Sequence, residues 1–301
     1  MRASQNRKTV TMTAPTWSID SETGRLRDVL LCRPDHYSWQ ATNAVARKTL
    51  SDARKAIDRT ALEAQFDGMV AALRDAGVTC HYLDGPEAHL PYQVYTRDSS
   101  QITPWGPVIT QLFRPQRRGE YASVIRFYEA TCAGPWRYST AGTLEGGDIH
   151  IIRPGLLLIG YSGERTDEAG ARQFAAWFEA EGWDVRLQSF PEHFLHMDVL
   201  FSMVADNLAL ACVEVMDDAL IAWLEARQIR LIPVSYKAAM QLSCNVLALG
   251  EGRVLSAAHS GEVNAAMRAS GLDVREIPLD LFTRGGGGVH CMTMPLNRDP
   301  G

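Results

Sequence analysis

Four segments of the chain begin alike and recur at a nearly constant interval. Asp98 (YTRDSSQITPWGPVIT), Asp148 (GGDIHIIRPGLLLIGY), Asp198 (HMDVLFSMVADNLALAC) and Asn245 (SCNVLALGEGRVLSAAHS) lie 50, 50 and 47 residues apart, and each opens an apolar run, a turn and a second apolar run. Self-similarity at this period means one supersecondary unit used several times, so each copy delivers a polar residue to an equivalent place. Asp and Asn favour strand starts and turns on their own account. Here, however, the flanks are chemically loaded too: Arg97 precedes Asp98, Glu145 precedes Asp148, His196 precedes Asp198, and a glycine run leads to His290 and Cys291.

Between the hairpins, residues 44–76, 121–132, 165–181, 217–227 and 261–270 carry helical periodicity. The sequences DAGV, AEGW and ASGL each place a glycine where a left-handed helix C-cap is needed before a strand such as 79–82 or 184–187 resumes. The order is hairpin, helix, strand, repeated. Joining the opening strand, 26–33, to the final segment, 289–295, makes a fifth unit, and pairing the last strand with the first closes the ring and removes exposed edges. The expected fold is therefore α/β, with five ββαβ-like units about a pseudo-fivefold axis in a single catalytic domain over residues 16–301. Residues 1–15 read as a flexible tail, with Met12 an alternative start.

The 301 residues carry a formal net charge of -5 and no basic stripe, and the richest basic segment, 114–118, is too short for more than a local anion site. Nucleic acid is not an expected partner. Six cysteines without CxxC or Cys/His ligand spacing indicate neither a disulfide scaffold nor a zinc site, and fit a reducing cytoplasm. No apolar run reaches the ~18 residues of a membrane span, and the basic start is not followed by the apolar stretch of a secretory signal.

The candidate nucleophile is Cys291. It follows four glycines, Gly285–Gly288, in TRGGGGVHCMTMPL, a run whose backbone entropy cost implies close approach or movement. Its neighbour His290 is disfavoured as the base, because adjacent residues on a strand point to opposite faces. His196 fits better: two residues from Asp198 in LHMDVLF, it shares a strand face with that carboxylate. Glu145 is placed to orient the imidazole, and Asp98 adds a further carboxylate. One cysteine, one histidine and three carboxylates in an enclosed centre call for a cationic ligand, since unpaired buried charge is costly. A planar guanidinium, with five donors in a fixed fork, suits them better than an ammonium.

YTRD, LEGGD, HMD and GGGGVHCMTMP, in this order over residues 95–295, resemble the motifs of the guanidine-modifying pentein superfamily, which comprises arginine deiminases, dimethylarginine dimethylaminohydrolases and amidinotransferases. The resemblance implies a five-bladed α/β propeller, no metal or organic cofactor, and a covalent thiouronium intermediate on the cysteine. It assigns Cys291 as nucleophile, His196 as general acid and base, Glu145 as the carboxylate partnering histidine and substrate, and Asp98 and Asp198 as guanidinium-binding carboxylates. IGYSGERTDEAGA looks like the stretch whose arginine holds a substrate α-carboxylate, which is Arg165 here. RPQRRGE resembles the stretch supplying a second such arginine, either Arg117 or Arg118.

Asp two residues after the histidine resembles deiminases and amidinotransferases more than dimethylarginine hydrolases, because a dimethylated nitrogen offers no donor to a second carboxylate. Leaving such a carboxylate unpaired costs roughly 1–3 kcal/mol. The expectation is an arginine-deiminase-type hydrolase of a free guanidino amino acid, working in the cytoplasm, with homo-oligomers allowed. An amidinotransferase and a dimethylarginine dimethylaminohydrolase remain alternatives within the class, and no residue decides between hydrolysis and transfer. The alternative from another class, a non-catalytic propeller that binds a partner, has no reason to keep Cys, His, Glu and two Asp at these positions.

Overall fold

A computed structural model describes residues 16–41, 43–52 and 57–301; the expected tail, 1–15, lies outside them. The chain opens with strand β1 (Leu26–Leu31), helices α1 (Ala44–Asp52) and α2 (Arg59–Asp75), and strand β2 (Thr79–Tyr82). The helix expected over 44–76 is thus two helices. Asp58 ends the intervening segment by capping α2, its side chain accepting from Ala61 N, an N-cap that periodicity alone does not reveal.

Four similar units follow. In chain order they are β3 (Ser100–Thr103), β4 (Gly106–Ile109), α3 (Tyr121–Thr131) and β5 (Arg137–Tyr138); then β6 (Ile149–Arg153), β7 (Leu156–Tyr161), α4 (Glu168–Glu179) and β8 (Asp184–Ser189). The third has β9 (Phe201–Ala205), β10 (Leu208–Ala211), α5 (Asp218–Glu225) and β11 (Arg230–Pro233). A short helix α6 (Tyr236–Ala239) leads to the fourth, with β12 (Leu247–Gly250), β13 (Arg253–Ala257), α7 (Gly261–Ala269) and β14 (Asp273–Ile277). In each, the hairpin strands pair antiparallel and the strand after the helix pairs parallel to the second hairpin strand.

After helix α8 (Asp280–Thr283), the last strand β15 (Met294–Arg298) pairs antiparallel with β1, whose other neighbour is the parallel β2. This fifth sheet is built from both ends of the chain, as the sequence implied. It begins later than expected, because residues 289–293 form a turn. Closure differs in kind, too. Among the described residues the five sheets are separate and three-stranded, so joining the first strand to the last completes one blade and does not make a continuous hydrogen-bonded ring. The architecture is the five-bladed α/β propeller of the pentein fold.

Burial falls from the axis outward. All residues of β3, β4, β10 and β12 are buried, whereas both residues of β5 are exposed. The first hairpin strands meet around the axis, β9 touching β6 and β12, and β15 touching β3. The expected glycine caps Gly77, Gly182 and Gly271 have φ of +82°, +81° and +92°; in the α5 unit Gln228 takes the same conformation at φ +62°. Among the described residues no helix is long and apolar enough to cross a membrane.

Candidate active site

The four repeated polar residues and Cys291 all stand just before an inner strand: Asp98 before β3, Asp148 before β6, Asp198 before β9, Asn245 before β12, and Cys291 before β15. Cys291 occupies the fifth equivalent place. The main chain links these places in turn: Arg97 N donates to Cys291 O at 3.1 Å and Gly146 N to Asp98 O at 3.3 Å. Side chains extend the chain of contacts. Met197 N donates to Asp148 Oδ1 at 2.7 Å, and Cys291 N donates to Asn245 Oδ1 at 3.2 Å.

These links gather Asp98, Glu145, His196, Asp198 and Cys291, all buried, at one end of the axis. Asp98, Arg117, Arg165, His196 and Cys291 share a cavity walled also by Asn43, Tyr92, Tyr95, Leu195 and Gly285–Gly287. Its volume is about 20 Å³, room for roughly one water molecule. The glycine run serves close approach. A Cβ on Gly285 would stand 1.9 Å from Tyr37 Oη, on Gly287 2.3 Å from Tyr95 Cε1, and on Gly288 2.7 Å from Asn245 Oδ1. Gly147 likewise leaves room for the His196 ring, whose Cγ would be 2.7 Å from a Cβ there.

His196 Nε2 bonds Glu145 Oε2 at 2.7 Å, and its Nδ1 lies 3.9 Å from Asp98 Oδ1. Burial alone would depress the imidazole, but Asp98, Asp148, the Cys291 sulfur and Glu145 hold it well above its usual range. Burial likewise pushes the Glu145 carboxyl up, and Arg165, His196 and Arg117 more than offset it, keeping it well below the usual carboxylate range. Arg165 Nη1 reaches Glu145 Oε2 at 3.1 Å, and Phe113 N donates to Glu145 Oε1 at 3.0 Å.

The His-x-Asp pair does not lie on a strand face. His196 is extended and precedes a short 3₁₀ turn, Met197–Val199, which sends Asp198 to a different neighbour. Asp198 Oδ2 accepts from His290 Nδ1 at 2.8 Å and lies 3.4 Å from Cys291 Sγ. The objection to His290 assumed a strand, whereas both residues sit in the turn before β15. The His290 ring stacks on His150, with centroids 6.0 Å apart and planes at 17°, and Arg97 Nε donates to its carbonyl. Burial opposes ionisation of Asp198, but the hydrogen bond from His290 wins and brings its pKa to about 2, while burial and Arg97 hold His290 itself below its usual range. The Cys291 thiol is pushed up to about 12, by burial first and then by Asp198, against the pull of His196.

The arginines part company. Arg165 lies ahead of α4, whose N-cap is Asp167, so it is a loop residue and not the helix start the periodicity suggested; its buried Nε has no partner among the described residues. Arg117 is in the cavity wall but is engaged by Glu120, through two bonds of 2.8 Å, and by Asp98 Oδ2 at 2.6 Å. Arg118 does not line the cavity; it donates to the carbonyls of Leu112 and Phe113. Asp98, Glu145 and His196 bring ligand atoms within 4.8 Å of one another, a set of the kind that holds a cation, although Arg117 and Arg165 already serve its carboxylates. Sequence reasoning missed the Asn245 contact with the sulfur, although the repeat had marked the residue, and the Asp198–His290 pair, for which adjacency to Cys291 was the available signal.

The chain is 30% identical over 280 residues to the uncharacterized protein YkgA of Bacillus subtilis, spanning 92% of this chain and 94% of that one. It is 26% identical over 259 residues to the arginine deiminase of Listeria welshimeri, covering 70% of this chain and 62% of the deiminase, so it spans about three fifths of that relative's length. The structure of a dimethylarginine dimethylaminohydrolase from Pseudomonas aeruginosa in complex with citrulline superposes with a TM-score of 0.72 at 20% identity, over 90% of this chain and 99% of that one. Residues 33–298 match the family model described as N,N dimethylarginine dimethylhydrolase, eukaryotic, and with the repeat, the five blades and the motifs in order the chain belongs to that family, within the guanidine-modifying pentein superfamily.

Proposed function

We propose that the protein is a cysteine-dependent hydrolase of a guanidino amino acid, of the arginine-deiminase type, with Cys291 as nucleophile. The observation that carries this reading is a pair of unsatisfied acceptors. Asp98, which shares the cavity with Cys291, and Asp198, which lies behind the cavity wall with its Oδ2 3.4 Å from Cys291 Sγ, each have a buried Oδ1 with no hydrogen-bond partner among the described residues. A buried carboxylate oxygen left without a donor costs roughly 1–3 kcal/mol or more, and a guanidinium supplies donors in a planar fork. Bound there once the cavity widens beyond its present volume of about 20 Å³, it also places positive charge near the sulfur and opposes the burial and the Asp198 field that keep Cys291 protonated.

The chemistry then balances in two halves. Sulfur bonds to the guanidinium carbon and the bond from that carbon to a terminal nitrogen breaks; the thiol proton passes to that nitrogen with His196 as the intermediary, and ammonia leaves. Water adds to the thiouronium carbon, the C–S bond breaks, sulfur regains a proton, and the ureido product and one further proton are released. That proton converts ammonia to ammonium. Glu145 holds the His196 ring for both transfers. Arg165, which lines the cavity and whose buried Nε has no partner among the described residues, is the candidate partner for the substrate carboxylate.

The second reading, dimethylarginine as substrate, is favoured by the family model that the chain matches. Two methyl groups would leave an acceptor of Asp98 or Asp198 unpaired, which supports the unmethylated compound. Turnover with arginine and asymmetric dimethylarginine tests both, scoring citrulline with ammonia or dimethylamine separately from ornithine with a new guanidino compound. The deiminase reading predicts citrulline and ammonia, with kcat/KM for arginine at least ~10²-fold above that for the dimethylated compound. The reverse preference replaces it with the second reading, and ornithine as product replaces hydrolysis with transfer.

A further inference from the structure

The fourth repeat place holds a carboxamide where the first three hold carboxylates. Asn245 is buried and contacts Cys291 twice: Cys291 N donates to Oδ1 at 3.2 Å, and Nδ2 donates to Sγ at 3.1 Å. The amide orientation follows from the chemistry, because a backbone N–H can only donate, which leaves the NH₂ group for the sulfur. The approach is held from both sides. Gly288 lets the main chain close on Asn245, and Leu242, three residues earlier, is held at φ +64°, a conformation that costs a non-glycine residue energy and accepts the Asn245 N–H on its carbonyl at 3.0 Å.

The sulfur's other polar surroundings oppose its ionisation. Asp198 Oδ2 is 3.4 Å away and Asp98 adds negative charge, while His196 and the Arg97 guanidinium act in the other direction. Glu145, His290, Arg117 and Arg165 stand behind these groups. A carboxylate at position 245 would set one more anionic oxygen on the sulfur. A carboxamide keeps the grip on Cys291 N–H and turns a donor toward Sγ.

We propose that Asn245 is a catalytic residue, whose Nδ2–H stabilises the Cys291 thiolate as it forms and again as the C–S bond breaks. This rests on Cys291 being the nucleophile, and the test therefore reads the sulfur directly as well as turnover. The isosteric Asn245→Asp is compared with wild type for alkylation of Cys291 by iodoacetamide, in which sulfur displaces iodide, followed between pH 7 and 10 by mass spectrometry of the Cys291 peptide. Alkylation should be at least about tenfold slower at each pH, the effect of a one-unit rise in the thiol's pKa. The kcat should fall roughly 10–100-fold with KM little changed. Asn245→Ser, which keeps a short donor, should fall between the two proteins on both readouts, and it carries the test if the Asp variant does not fold. Wild-type alkylation rates and kcat in a folded Asn245→Asp or Asn245→Ser protein would make Asn245 a loop-holding residue and overturn the proposal. Slowed alkylation in a protein whose wild type turns over no guanidino compound would uphold the contact with sulfur and reject the proposed function.

Discussion

Asp148 and Asn245 fill the same repeat position two blades apart and perform the same structural task, since each accepts a main-chain N–H from the next blade through its Oδ1. Their second atoms face different surroundings. Burial raises the Asp148 carboxyl to about 7, against the opposing pull of His196, the Thr166 side chain and the Met197 N–H, while the Asn245 amide donates to Cys291 Sγ. Asp98 and Asp198, in the alternate blades, each keep a buried Oδ1 without a hydrogen-bond partner among the described residues. The backbone repeat thus fixes where a polar group stands, and the neighbour contributed by the next blade fixes what that group does.

If this division holds, the reaction-side and holding-side positions respond differently to substitution. The largest effect belongs to the fifth position: Cys291→Ser should lose roughly 10³-fold or more in kcat while still binding substrate, because a serine hydroxyl has no comparable anion near neutral pH. Acid-quenched wild type should carry a covalent mass adduct at Cys291. An adduct at Cys244 or Cys32 instead would break the assignment. Next comes His196→Ala, expected to lower kcat by 10²–10⁴-fold, the usual scale for a positioned acid and base; full activity without the imidazole would remove it from the mechanism.

Asp198→Asn sharpens the contrast most directly. It removes one charged acceptor worth roughly 1.5–3 kcal/mol, so kcat/KM for arginine should fall about 10–100-fold, and the preference for arginine over its dimethylated form should narrow. A preference unchanged in the variant would mean that Asp198 does not touch the guanidinium. For Arg165→Ala, a KM increase for arginine much larger than that for agmatine, which lacks the carboxylate, is expected; equal losses would make it only the partner of Glu145.

The smallest effect on rate is expected at Asp148, where Asp148→Asn keeps the acceptor for Met197 N–H and should leave kcat within about threefold of wild type. Its signature is in stability. A carboxyl raised from 3.8 to about 7 on folding contributes stability that is fully present below about pH 4 and is lost as pH rises through 7. An Asn side chain has no such titration, so the melting temperature of the variant relative to wild type should climb between pH 4 and 8. Parallel profiles would show that Asp148 does not titrate there.

Much of this arrangement was legible from one sequence. The four repeat positions, the glycine caps, the fifth blade built from both termini, and the gathering of Cys291, His196, Glu145, Asp98 and Asp198 all follow from spacing, turn chemistry and motif order. Three local errors share a cause. Treating His196 and Asp198, and His290 and Cys291, as strand neighbours imposed a two-residue period on segments that are turns, and reading 44–76 as one helix passed over the cap at Asp58. Periodicity reports the average environment of a segment, whereas a turn is set by a few dihedral angles.

The sequence by itself determined the modules and their order, because apolar period, glycine punctuation and capping residues act within a few positions of one another. It also determined which residue types stand at the blade mouths. Only the tertiary structure decided their pairing. It gave Asp198 to His290, Arg117 to Glu120 and Asp98, Arg118 to main-chain carbonyls, and Asn245 to the sulfur. The Asp198–His290 and Asn245–Cys291 pairs join different blades, and even within one unit Arg117 reaches Asp98 across a hairpin; hydrogen bonds, burial and charge act over a few ångströms of space whatever the separation in sequence.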